Sequence, residues 1–260
     1  MDDVGFCSTF YGFAEGVPCL WEAVAGRAAP RWPRHSHHDA AIGLTWQLKD
    51  DLPAARHVYY GKLLRGRPCL VALDIFPAFY ALIRGRQRAR DYRMEYEAGR
   101  LTLCARRIMD ALAAEHPQYT RGLRASCFML DARHTREFER AMAELQQGLW
   151  IVKTEERYEP SFSYRWDLLE NWLPRAVAAG RRLTRTAAAR CLVERYARAA
   201  VFTRPAVLRR LFGLSADEVA MTVTALARRG VVVEMAVPGW PGRWLVHASA
   251  ISSKKGVATP

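Results

Sequence analysis

The chain has 260 residues, half of them apolar and a quarter charged, the balance of a protein that buries a core and not of a disordered one. No run approaches the roughly 20 apolar residues that span a bilayer, and Met1-Asp2-Asp3 opens neither a basic nor an apolar leader, so the expectation is a cytoplasmic, nucleoid-associated protein with no membrane partner. The formal charge is +13, and 34 of the 39 basic residues are arginine, which favours a polyanionic partner. A G- and C-rich genome would also inflate arginine, but would spread it evenly. Residues 1–100 carry 14 basic and 11 acidic side chains, residues 101–180 carry 11 of each, and residues 181–250 carry 12 and 4.

In chain order, residues 1–95 read as an α+β module with the outline of a partial winged helix. Gly26 to His38 is a loop rich in Pro, Arg and His; Asp50 to Leu64 has helical spacing through Leu52, Ala55, Tyr59 and Leu63; Cys69 to Leu73 has the composition of a strand. Leu82 to Tyr92 is a charged crossing with Arg84, Arg86, Arg88 and Arg90 in alternation, a pattern commonest in solvated connectors.

Residues 96–178 form a middle winged helix. Leu101, Ala105, Ile108, Met109 and Leu112 share one helix face, Thr120 to Cys127 is a short helix, Phe138, Met142, Leu145 and Leu149 mark a third, and Trp150–Thr154 with Phe162–Trp166 close a hairpin. Residues 179–250 repeat that plan with a basic surface. Thr186 is positioned to cap a helix through Ala200, Pro205 opens a second helix that Gly213 stops, and Ser215-Ala216-Asp217-Glu218 is a capping box for a third that ends at Gly230. Val231–Val237 and Arg243–Val246 then flank a Pro-Gly-rich turn, and residues 251–260 read as a disordered tail. The fold class is mainly α with small β-hairpins (α+β), in tandem winged-helix modules.

A helix-turn-helix backed by a hairpin can place its last helix in the major groove and its wing on the backbone, so double-stranded DNA is the expected partner. The candidate phosphate contacts are Arg209, Arg210, Arg228, Arg229 and Arg243. For the neutral middle copy a scaffold role is the expectation.

Gly5-Phe6-Cys7, Trp46-Gln47-Leu48-Lys49-Asp50, Arg56-x-x-Tyr59-Tyr60-Gly61-Lys62-Leu63 and Tyr96-Glu97-Ala98-Gly99-Arg100-Leu101, in that order, resemble the bacterial winged-helix DNA glycosylases of the AlkZ/YcaQ type. The resemblance implies tandem winged helices around a DNA channel, and monofunctional excision of alkylated bases or unhooking of crosslinks. It also implies that an upstream helical portion of longer relatives is lacking. The family holds its attacking water with a Gln-apolar-Gln element or a variant with His or Asp at one place; Gln47-Leu48-Lys49 matches only the first two places, and a charged lysine cannot accept a proton.

Gln47, Asp50 and Asp51, beside Trp46, are the candidate catalytic residues, since base excision needs a carboxylate or amide to orient water near an exposed glycosidic bond. The competing reading makes Asp50 and Asp51 first-turn acids complementing a helix dipole. His35-x-His37-His38-Asp39 has metal-like spacing without a matched distant ligand, so no metal or cofactor is expected. Phosphate-loop, nucleophile-elbow and His-Glu-x-x-His motifs are absent, which removes their chemistries. The six cysteines include no Cys-x-x-Cys pair and read mostly as small buried residues. The alternative function is a non-enzymatic winged-helix transcriptional regulator, or more remotely an interaction scaffold.

Overall fold

A computed structural model describes residues 4–12, 16–85 and 91–252. It is an α+β protein in which three small three-stranded antiparallel sheets follow one another, with strand orders β1-β3-β2, β4-β6-β5 and β7-β9-β8. In each, the last strand of the hairpin lies in the middle and the first short strand joins its free edge.

In the N-terminal part, β1 (Phe6–Ser8) is followed by α1 (Leu20–Ala25), α2 (Ala40–Ala54), and the hairpin β2 (Val58–Leu64) and β3 (Arg67–Ala72). Arg65 and Gly66 both have positive φ, the geometry that lets a two-residue turn follow the twist of its strands. The helix expected from Asp50 to Leu64 is not formed: α2 begins ten residues earlier, where the Asp39 carboxylate accepts from the Ile42 amide at 2.9 Å. The run Val58-Tyr59-Tyr60, branched and aromatic, goes instead into β2, and Arg56 at φ 57° breaks the chain direction before it. Asp50 and Asp51 therefore lie in the last turns of α2, where acids do not complement the dipole. That competing reading of them is excluded.

Next, α3 (Phe76–Arg84) leads through α4 (Tyr92–Glu97) into α5 (Leu103–Ala114), β4 (Gln118–Tyr119), α6 (Thr120–Ser126), α7 (Thr135–Gln147), and the hairpin β5 (Ile151–Arg157) and β6 (Ser163–Leu168). Arg84 is no solvated connector residue: its guanidinium stacks 3.2 Å from the Trp150 ring centroid. Arg86, Arg88 and Arg90 lie outside the described residues.

Two short helices, α8 (Leu169–Trp172) and α9 (Pro174–Arg182), precede α10 (Arg185–Ala200), β7 (Phe202–Thr203), α11 (Pro205–Phe212), α12 (Ala216–Arg228), β8 (Val232–Val237), β9 (Trp240–His247) and α13 (Ala248–Ser252). The cap of α10 is Thr184 and not Thr186; its hydroxyl accepts from the Ala187 amide at 3.1 Å. The Ser215–Glu218 capping box is present in both directions, at 3.1 and 2.8 Å. The return strand starts earlier than expected, at Trp240, and α13 takes in Ile251 and Ser252 of the expected tail, whose remainder lies outside the described residues.

The middle sheet and helices have their own core, built on Ile108, Leu112, Leu123, Phe138, Leu145, Ile151 and Trp166. A second core runs from the first sheet through α3, α9 and α10 into the C-terminal helices. Phe6 of β1 lies 5.5 Å from Phe79, 6.0 Å from Phe212 and 6.4 Å from Tyr196 between ring centroids, so both ends of the chain share one aromatic centre. Five cysteines are buried and Cys191 is exposed. Among the described residues no helix is long and apolar enough to cross a membrane.

Candidate active site

Lys49 stands on the inner face of α2, where an apolar residue would be ordinary, and β5 opens Ile151-Val152-Lys153, a lysine following two buried aliphatics. Regular β alternation would send Lys153 and Glu156 to opposite faces, because they are three residues apart. The register of β5 against β6 shifts between Lys153 and Glu155, two residues on β5 spanning one step from Trp166 to Arg165 on β6. This bulge turns the strand so that both side chains meet α2.

The result is a buried cluster of two ammoniums and two carboxylates. The Lys49 ammonium donates to Asp50 and, at 2.6 Å, to Glu156 Oε1. Lys153 donates to the same Glu156 oxygen and lies 3.7 Å from Asp50 Oδ1. Tyr158 closes the group, its hydroxyl 2.9 Å from Asp50 Oδ2 and 3.1 Å from Glu156 Oε2. The side chains of Lys49, Lys153 and Glu156 are 3, 8 and 5 % exposed, so the charges compensate one another largely out of water.

Rings complete the enclosure. Lys153 Nζ lies 4.4 Å from the Tyr60 ring centroid and 5.3 Å from that of Tyr164, and Lys49 Nζ lies 4.7 Å from Trp46. Lys153 also lines a cleft of about 420 Å³ between the first hairpin and the middle helices, together with Tyr60, Lys62, Arg124, Met142 and Tyr164.

The electrostatics divide the two lysines. Burial works against both cations, but at Lys49 the hydrogen bonds it donates to Asp50 and Glu156 outweigh it and the pKa rises. At Lys153 burial wins, aided by the neighbouring Lys49 charge, and the pKa falls. Burial likewise opposes the Glu156 carboxylate, yet the hydrogen bonds from Lys153 and Lys49 prevail and hold it down at about 2. Burial pushes the Tyr60 and Tyr158 hydroxyls up.

Of the three candidate catalytic residues, the structure brings Asp50 into this cluster, while Gln47 and Asp51 lie on the exposed face of α2. Lys49, the residue that breaks the Gln-apolar-Gln pattern, is itself a cluster member. Lys153, Glu156 and Tyr158 were not singled out from sequence, and Tyr60 entered only as part of the Arg56–Leu63 motif. The one signal was a lysine inside an apolar strand start, and the bulge that pairs it with Glu156 has no local signature. Asp39 of the His-rich segment is engaged in capping α2, and among the described residues no group of three or more His, Cys, Asp or Glu side chains is arranged to hold a metal ion.

The five candidate phosphate contacts are all exposed. Arg229 pairs with Glu194 at 3.3 Å and Arg243 with Glu234 at 3.0 Å. The outward face of α12 is not basic: Asp217, Ala220, Met221, Thr224 and Ala227 precede Arg228 on it.

The model of the AlkZ-related family matches residues 1–213, most of the chain. The protein belongs to the AlkZ-related family. The match takes in Lys49, Asp50, Lys153 and Glu156 and stops before α12 and the β8–β9 hairpin. The fold of this AlkZ-related chain is similar to that of the Streptomyces sahachiroi DNA glycosylase AlkZ, with a TM-score of 0.57 at 13 % identity. That similarity covers 92 % of this chain but 62 % of the glycosylase, so the chain spans less than two thirds of that protein's length. No curated protein matches it.

Proposed function

We propose that this AlkZ-related chain is a bacterial, nucleoid-associated winged-helix protein that binds double-stranded DNA and acts as a monofunctional glycosylase-like enzyme in alkylation or crosslink repair. In this reading residues 1–95, 96–178 and 179–250 are three modules, and the duplex is held through Arg209, Arg210, Arg228, Arg229 and Arg243. The observation that carries it is a pair of carboxylates, Asp50 and Glu156, fixed by two lysines of which one, Lys153, lines a cleft, in a chain of the AlkZ-related family.

The chemistry asks little more. A purine alkylated at N3 or N7 is already cationic and leaves as a neutral base, so no general acid is needed; what is needed is stabilisation of positive charge growing on the sugar and a positioned water. Glu156, ionised throughout the physiological range, supplies the negative field. Asp50, less buried at 21 % side-chain exposure, is the carboxylate a water can reach; Gln47 and Asp51 stand on the exposed face of the same helix.

One observation favours the alternative of a non-enzymatic regulator. Asp50 and Glu156 are both committed to lysine or tyrosine partners, which is also how a structural brace between two modules is built. A duplex carrying one alkylated purine, followed by alkaline cleavage, separates the two. Cleavage abolished by Asp50→Asn and reduced by Gln47→Ala is the expected result. Salt-dependent duplex binding without cleavage by the unsubstituted protein assigns the chain to the regulators, and no duplex binding at all overturns both.

A further inference from the structure

The N-terminal part carries a second feature, which meets the cluster only at Trp46. Phe10, Tyr11, Trp21, Trp32 and Trp46 form a continuous set of rings: Phe10–Trp46 at 4.7 Å, Trp21–Trp32 at 5.3 Å, Phe10–Trp32 at 5.8 Å and Tyr11–Trp32 stacked at 6.2 Å. Phe10 and Trp21 are buried with Cys19 and Ile42 as a small satellite core. The outer three are not: Tyr11 is 66 % exposed, Trp32 46 % and Trp46 44 %. Burying these rings would release a large apolar area, and a monomer that leaves three of them together in water presents a surface for a partner with flat faces.

The charge around them selects the partner. The segment from Ala23 to His38 contains Arg27, Arg31 and Arg34 and no acidic residue, and all three arginines are exposed. Among the described residues, the two acids that flank this segment are engaged: Glu22 accepts from the Ala29 amide at 2.9 Å and Asp39 caps α2. Flat rings beside arginines that no acid opposes among the described residues match the alternation of bases and phosphates in a single strand, each base finding a π face and each phosphate a guanidinium. A second copy of this basic surface would be repelled.

We propose that Tyr11, Trp32 and Trp46 form a stacking platform for unpaired DNA bases, with Arg27, Arg31 and Arg34 holding the flanking phosphates. Trp46 and Asp50 are four residues apart on α2 and so lie on one helix face, and the Lys49 ammonium links the Trp46 ring to the buried cluster. A strand laid on the platform runs toward the carboxylates. The choice of DNA rests on the proposed function; the ring and charge chemistry does not.

The test titrates the full chain with a short oligothymidylate and with the same strand in a duplex, following tryptophan fluorescence and anisotropy. Stacking quenches the tryptophans, and Trp32→Leu, which keeps apolar packing but removes the flat face, lowers single-strand affinity on the order of tenfold while leaving duplex affinity unchanged. Tyr11→Leu, at the most exposed ring, acts in the same direction. The platform is overturned if the unsubstituted chain neither binds nor is quenched by the single strand, if Trp32→Leu binds it undiminished, or if both DNA forms lose equally. Self-association abolished by Trp32→Leu also overturns it, by assigning the face to a second copy. Quenching by the single strand without duplex binding leaves the platform standing and sinks the duplex-binding reading instead.

Discussion

The C-terminal arginines and the Lys49–Glu156 cluster use charge in opposite ways. Arg209, Arg210, Arg228, Arg229 and Arg243 are exposed, and the acids that meet two of them do so at the surface. Lys49, Lys153, Asp50 and Glu156 sum to zero and are largely buried between α2, the first hairpin and β5. A count of charge per segment finds the first group and is blind to the second. The energetics run the other way, since exposed pairs contribute about 0–1 kcal/mol each, whereas removing one member of a buried pair strands the other at a cost several times larger.

The largest expected effect follows from that asymmetry. Glu156→Gln leaves Lys49 and Lys153 with Asp50 as their remaining carboxylate, and should lower unfolding stability by about 3–5 kcal/mol. Chemical denaturation measures it, and a loss below about 1 kcal/mol would show that the cluster is as weak as a surface pair. The pH dependence has a definite sign. The folded pKa of Glu156 is depressed to about 2 from 4.5, so its contribution is complete above the unfolded value and is lost as pH falls through that window. The substituted chain should lack this part of the acid sensitivity.

How much of this could be read in advance differs between the same two regions. In the C-terminal part, each element announces itself locally: Pro205 at a helix start, Gly213 and Gly230 in left-handed stops at φ 64° and 70°, a complete capping box at Ser215. Around the cluster the decisive features are not local. The helical spacing from Asp50 to Leu64 was genuine as a pattern, but the Asp39 cap and the strand preference of Val58-Tyr59-Tyr60 overrode it. Lys153 met Glu156 only because a bulge altered the strand's alternation, and their partner Lys49 is over a hundred residues away in sequence. The shared core of the two chain ends was equally hidden, for nothing near Phe6 signals that it packs on Tyr196 and Phe212.

That shared core gives the second prediction. A Cβ at Gly180 of α9 would stand 2.7 Å from Tyr80 Cδ1 and 3.0 Å from the Pro77 carbonyl oxygen, so α3 and α9 would have to part. Gly180→Ala should cost about 1–3 kcal/mol in spite of the better helix propensity of alanine. Gly43→Ala, in α2 with open space at its Cβ, should stabilise by up to about 1 kcal/mol. Opposite signs in paired denaturation curves tie the first loss to the helix contact; a stabilised Gly180→Ala would mean that the contact between the N- and C-terminal parts is loose.

The smallest effects belong to the exposed arginines, and they sharpen the comparison most. An arginine that neutralises one phosphate changes the slope of log affinity against log salt by about 0.9, whatever the DNA sequence. Arg209→Ala and Arg228→Ala should each lower the slope by about that amount. Arg243→Ala should change it less, because Arg243 must first give up Glu234, and Glu234→Gln should therefore tighten binding. The outward face of α12, acidic at Asp217 and apolar beyond it, offers no further cation to the backbone before Arg228. If alanine at each of the five C-terminal arginines leaves the slope unchanged while Arg31→Ala reduces it, the phosphate track runs over the N-terminal face, beside the carboxylates. The basic C-terminal surface would then have been a misleading guide, and the part of the chain matched by the family model would carry both the binding and the chemistry.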